Sequence, residues 1–243
     1  MGVDDMRPAF NLEPKYRVTM LTREDWTGGS GSPPGIKGLI WYTDGSKMKE
    51  GTGAGVFGQS VKRRLSFSLG RYTTVFQAEI YAILACVHEI QFQNRPEKYI
   101  SICSYSQAAP KALQAIRTSP LVYQYQKALN DISARHVEGL YWVPGHAVVR
   151  GNEIADRLAR SGSALGFLGP EPALGVSRSD IRKRLSRWFI NQQWVSWHDL
   201  GNTVRQAREL ISGPCPSTKF KLLSFNRNQY RVVTGLLTGH NTL

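Results

Sequence analysis

The strongest constraint on this chain is a change of period at Thr74. Before it, GLIWYTDGS, GTGAGVFGQS and KRRLSFSLG are short extended runs divided by Gly- and Asp-rich turns, which predicts three antiparallel strands in a meander. After it, Glu79, Ala82, Ile83, Cys86 and Ile90 recur at i, i+3, i+4, i+7 and i+11, the period of a helix reaching about Asn94. Thr74 is a suitable N-cap for it, because a hydroxyl can satisfy a free amide of the first turn.

The alternation continues. KYISICS predicts a fourth strand, SQAAPKALQAI a short helix and SPLVYQYQKALNDISARH a second helical segment. GLYWVPGH predicts a fifth strand, and GNEIADRLARSGSAL a last helix with Asn152 near its start and Gly162 near its end. The order βββ-α-β-α-α-β-α predicts an α/β, three-layer fold: a mixed five-stranded sheet, three antiparallel strands then two parallel, flanked by helices. TGGSGSPPGIKG at 27–38 has linker composition, so residues 1–37 are expected to be a poorly ordered connector and 38–165 the α/β domain. Residues 166–243 are expected to be a basic, partly helical extension, whose Leu185, Trp188, Phe189 and Trp194 form a stripe read as packing.

Charge narrows the partners. Lys and Arg exceed Asp and Glu by 13, and residues 166–243 carry 11 basic against 4 acidic groups. Such a surplus suits a polyanion such as nucleic acid. The sequence has no long apolar run of membrane-spanning length. The N-terminus carries acids and lacks the apolar core of a signal peptide. Cys86, Cys103 and Cys215 are far apart, which points to neither a zinc site nor a disulfide framework and suits a reducing interior compartment.

Three acids stand where acids are costly. Asp44 ends a buried strand, Glu79 lies on the apolar face of its helix, and Asp156 lies early in the last helix, after the strand that ends at His146. Each has an ordinary alternative: a hairpin turn for Asp44, an arginine partner for Glu79, a helix-dipole contact for Asp156, a loop position for His146. Converging carboxylates without a basic partner suit a hard divalent cation, which prefers oxygen ligands.

YTDGS, QAEIYAI, an SxSQAA segment and WVPGHAVVRGNEIADRLA together resemble the type 1 ribonuclease H domain over residues 39–165, in the version carried by non-LTR retrotransposon polyproteins. LSFNRNQYRVVTGLLTGHNTL resembles the segment that follows it there. The resemblance implies a ribonuclease H-like fold and cleavage of the RNA strand of an RNA–DNA hybrid with two Mg²⁺ ions, Mn²⁺ being a substitute. It also implies that Asp44 bridges the ions, that Glu79 and Asp156 each help hold one, that His146 assists proton transfer or product departure, and that Gly45 and Gln107 lie near the hybrid. An upstream reverse transcriptase domain and a later zinc-binding element are implied too, His240 alone being too little for the latter, so the chain is expected to be a fragment.

One residue departs from the pattern. Between Ser104 and Ser106 the family carries Asp, and this chain has Tyr105. A phenol is neutral at pH 7 and offers one weak oxygen where a carboxylate offers two charged ones, so metal binding and activity are expected to fall. Pro110 is expected to remove an early helix hydrogen bond, and Val148 to stiffen the loop after His146. The rival expectation is a hybrid- or duplex-binding module without catalysis.

Overall fold

The computed structural model describes residues 3–4, 7–8, 16–27, 35–113, 117–144, 149–165, 174–201 and 205–240. The chain divides into two compact units, residues 1–180 and 181–243.

The main sheet of the first unit has strands β1 (Arg17–Met20), β2 (Leu39–Lys47), β3 (Thr52–Gly58), β4 (Arg63–Ser68), β5 (Tyr99–Ser104) and β6 (Val137–Trp142), in spatial order β1-β6-β5-β2-β3-β4. β2, β3 and β4 are antiparallel; β5 runs parallel to β2 and to β6. The mixed α/β sheet is as expected, but it has six strands and not five. The sixth, β1, pairs parallel with β6 from a stretch expected to be connector. Four residues with no hairpin turn beside them leave no local signal; the pairing comes from a strand more than a hundred residues away.

Among the described residues five helices belong wholly to this unit: α1 (Arg23–Thr27), α2 (Val75–Gln93), α3 (Ala108–Ala112), α4 (Pro120–Ser133) and α5 (Arg150–Ala164). Strand alternation sorts the core into two layers. Trp41, Val56, Ile102 and Leu140 join Ile83, Ile90, Tyr125 and Leu129 in the α2/α4 layer. Tyr42, Phe57, Cys103 and Tyr141 join Ile154 and Ala155 in the α5 layer. Cys86 and Cys103 are buried and free, as core thiols should be.

Gly162 lies near the end of α5, as expected, two residues before Ala164; a Cβ there would strike the carbonyl of Phe67, so this glycine lets the helix lie against β4. One local expectation changes. Pro110 costs no helix bond, because it falls in the first turn of α3, where amides have no intrahelical acceptor.

The second unit holds most of α6 (Arg178–Asp199), and α7 (Arg205–Leu210), α8 (Pro216–Leu223) and α9 (Arg227–Thr238). The packing reading of its stripe fails for three residues: Leu185 is 51%, Trp188 54% and Phe189 57% exposed, and the two aromatic rings meet each other edge-on at 5.1 Å. Arg182, Arg184 and Arg187 are interleaved with the stripe, so α6 has no clean apolar face to bury.

Candidate active site

Asp44 sits on β2 opposite Gly55 of β3, and opposed residues in an antiparallel pair share a face. That face is the α5 side, because a Cβ on Gly55 would collide with the carbonyl of Ala155. The next residue points the other way. A Cβ on Gly45 would lie 2.6 Å from the Glu79 amide nitrogen and 2.7 Å from its Cγ. DGS against GTGAG thus clears space on both faces, and α2 and α5 close on Asp44 from opposite sides.

The helix carrying Glu79 has a fixed start. Thr74 Oγ1 accepts from the Gln77 amide at 3.2 Å and Gln77 Oε1 accepts from the Thr74 amide at 3.0 Å, a reciprocal capping box. Glu79 follows within the first turns, half-buried. Asp156 is carried by α5, one residue after the buried Ala155.

Electrostatics tie the three acids together. Burial, and after it the charge of Asp156, push the Asp44 carboxyl up to about 7, against the Gly45 amide and Arg160. Burial and the charge of Asp44 push Glu79 up to about 8. A side-chain contact with Asp156 adds to the rise of Asp44. Asp44 is therefore shared by two pairs, one with Asp156 and one with Glu79. Arg160 Nε meets Asp156 Oδ1 at 2.9 Å and takes up part of this charge.

Tyr105 follows β5 at the same end of the sheet, where Ser104 pairs with Thr43. Its carbonyl accepts from Trp142 Nε1 at 3.0 Å, and its ring packs on the α5-side core layer. Burial raises the phenol's pKa; Asn152 beside it pulls the other way, and Asp44, Glu153 and Asp156 add to the rise. The phenol therefore stays neutral beside the acids. Asn152 is fully buried, and neither its amide nitrogen nor its oxygen makes a hydrogen bond of good geometry. From sequence it was only a helix-start residue; a buried polar pair with nothing to bond is the signal that it belongs to the site.

Gly45 and the exposed Gln107 lie on the segments that carry Asp44 and Tyr105. His146 and Val148 lie outside the described residues, so the structure does not place them.

The donor chemistry fits a hard cation: oxygen ligands only, two of them raised by burial and by a neighbouring acid, beside an unsatisfied amide. The cluster is nevertheless thin. Among the described residues no three His, Cys, Asp or Glu side chains converge closely enough to hold one ion. Asp156 leans on Arg160, and the fourth position is a neutral phenol.

The RNase H family model matches residues 37–164, more than half of the chain. The chain belongs to the RNase H family. No curated protein matches it. By family, this RNase H domain is a ribonuclease of RNA–DNA hybrids and a nucleic-acid binder, and members of the family generally use divalent metal ions. No helix among the described residues is long and apolar enough to cross a membrane.

Proposed function

We propose that this RNase H domain is a metal-dependent endonuclease for the RNA strand of RNA–DNA hybrids, and that Tyr105 holds its activity far below what the scaffold allows. The observation that carries the reading is Asp44, a buried acid shared between Glu79 and Asp156, with its carboxyl raised to about 7. Asp44 with Asp156, and Asp44 with Glu79, would hold Mg²⁺ or Mn²⁺. Bound there, the ions supply the positive charge that activates a water and stabilises the phosphate oxygens.

The chain's own residues do the rest. Gly45 on β2 lets α2 approach, and Gly53 and Gly55 on β3 let α5 approach, so that Glu79 and Asp156 each come near Asp44. Arg160 offsets the charge of Asp156 while no cation is bound. Tyr105 supplies no negative charge where the family pattern has an aspartate, so a cation there loses one ligand. His146 would assist proton transfer, and Gly45 and Gln107 would border the hybrid, whose 2′-hydroxyls distinguish its RNA strand. The motif resemblance further suggests a non-LTR retrotransposon polyprotein with an upstream reverse transcriptase, acting inside the cell.

The absence of a three-acid cluster among the described residues favours a second reading, an RNase H domain that binds hybrid without cutting it. One assay separates the two: cleavage of a labelled RNA–DNA hybrid in Mg²⁺ and in Mn²⁺ by this chain and by Tyr105→Asp. The variant should cut at least roughly 100-fold faster, the scale of one electrostatic contact at a reacting centre. Equal rates would mean that Tyr105 costs nothing. Binding of hybrid without cleavage by either protein would favour the binding module.

A further inference from the structure

A second polar site lies at the opposite end of the sheet. Glu138 pairs with Ile100 near the start of β5, while Ser104 and Tyr105 mark its far end. Four residues of strand, roughly 13 Å at about 3.3 Å each, separate the two regions.

A cavity of about 600 Å³ opens here around the N-terminal ends of β1, β5 and β6. Glu138 lines it and is only 3% exposed. Ser133 Oγ lies 3.1 Å from its Oε2, but its Oε1 has no hydrogen-bond partner. A buried carboxyl oxygen without a donor is costly, and a native fold normally supplies one. Burial pushes this carboxyl up to about 8. Nothing in the hybrid-cleaving site uses it.

The rest of the lining shows what could supply the donor. Glu138 shares the α2/α4 face with Leu140, next to Ser133 and His136. Arg17 is opposite Gly139, and the Lys37 backbone exchanges two hydrogen bonds with Ser101, so both residues stand on the other face, with the Lys37 ammonium 3.8 Å over the centre of the Tyr99 ring. Among the described residues neither of these cations is in an ion pair. Tyr16, Tyr99 and Tyr141 line the same cavity. A ligand that satisfies this cavity has an N–H donor for Glu138 Oε1, a flat body for the tyrosines and an anionic end for Arg17 and Lys37. The two ends must reach round a sheet edge, a span on the order of 10 Å.

We propose that this cavity binds a nucleoside monophosphate whose base carries an exocyclic amine, the amine donating to Glu138 and the phosphate meeting Arg17 and Lys37. The site is independent of the ribonuclease reading and stands or falls without it.

The test is equilibrium binding of CMP and UMP, by calorimetry in EDTA at about pH 8.5, where most of the Glu138 carboxyl is ionised and can only accept, to the full chain and to Glu138→Gln, Lys37→Ala and Asp44→Asn. CMP offers an amine where UMP offers a carbonyl, so the chain should prefer CMP by about tenfold, the scale of one unpaired buried polar group. Glu138→Gln keeps the shape and can turn an amide N–H toward the ligand, so the preference should reverse in favour of UMP. Lys37→Ala, an exposed change, should weaken both nucleotides alike, and Asp44→Asn should change neither. No binding of either nucleotide to the folded wild-type chain, as expected of a cavity holding only water, would overturn the proposal. So would a CMP preference that survives Glu138→Gln, or binding lost in Asp44→Asn.

Discussion

Gly45 and Glu79 touch across the β2–α2 contact so closely that a single added methyl at Gly45 would lie 2.6 Å from the Glu79 amide nitrogen. The obstacle is helix backbone, which cannot swing aside as a side-chain tip can. Gly45→Ala should therefore push α2 off the sheet and cost about 1–3 kcal/mol, as overpacking does. It should also move Glu79 away from Asp44 and lower the Glu79 pKa, because part of that rise comes from the Asp44 charge. Urea unfolding and a carboxyl titration by NMR check the two effects. Wild-type stability with an unchanged Glu79 titration would show that the contact does not position the acid.

The raised acids make a pH prediction with a definite sign. Asp44 rises from 3.8 to about 7, and Glu79 and Glu138 from 4.5 to about 8. Between the ordinary and raised values the folded chain keeps protons that the unfolded chain has released, so stability falls as pH rises. The contribution of these groups is complete below about pH 4 and is lost as pH passes through 7 to 8. In EDTA, unfolding free energy should drop between pH 5 and pH 8. Mg²⁺ should restore part of it at pH 8, because a cation that binds only the folded chain stabilises it. Glu138→Gln should remove a separate share of the slope that Mg²⁺ does not touch. Stability that rises over this interval in EDTA would contradict the burial of these acids.

Tyr105→Asp should trade stability for metal affinity. The ring packs on the α5-side core layer, so its loss should cost about 1–3 kcal/mol in EDTA. The new carboxylate adds a like charge beside Asp44 and Asp156, which lowers apo stability further as pH rises. Mn²⁺ titration followed by calorimetry should show at least about tenfold tighter binding, since hard-cation affinity follows ligand charge. An unchanged Mn²⁺ affinity would place Tyr105 outside the cation's reach.

The long elements and the acidic set were legible because local rules carry them. Thr74 caps α2 as its hydroxyl allows, and Asp44, Glu79 and Asp156 were conspicuous as acids in apolar settings. What was not legible depends on partners remote in sequence. β1 exists because Arg17–Met20 finds β6, and no turn announces it. Gly53 and Gly55 look like turn residues in a strand, but they are the clearance for α5, visible only once that helix is in place. Trp188 and Phe189 have helical spacing, yet spacing alone does not supply a surface to pack against. Glu138 sits in VEGLYW like any half-exposed strand acid, and only the fold buries it.

Arg160 is the residue that most directly competes with a metal ion. Its Nε holds Asp156 Oδ1 at 2.9 Å one helical turn away, and its charge also eases the ionisation of Asp44. Arg160 is largely exposed and Asp156 partly so, so Arg160→Ala should change stability by no more than about 1 kcal/mol in Mg²⁺. Without a cation the effect should be larger at pH 8 than at pH 5, because the acids then lose a nearby positive charge. Affinity for Mn²⁺ should rise, since the ion no longer displaces a guanidinium. The acid test is the combination Arg160→Ala with Tyr105→Asp. If both residues act on one cation site, the gains in Mn²⁺ affinity will not add, whereas independent sites would give additive gains.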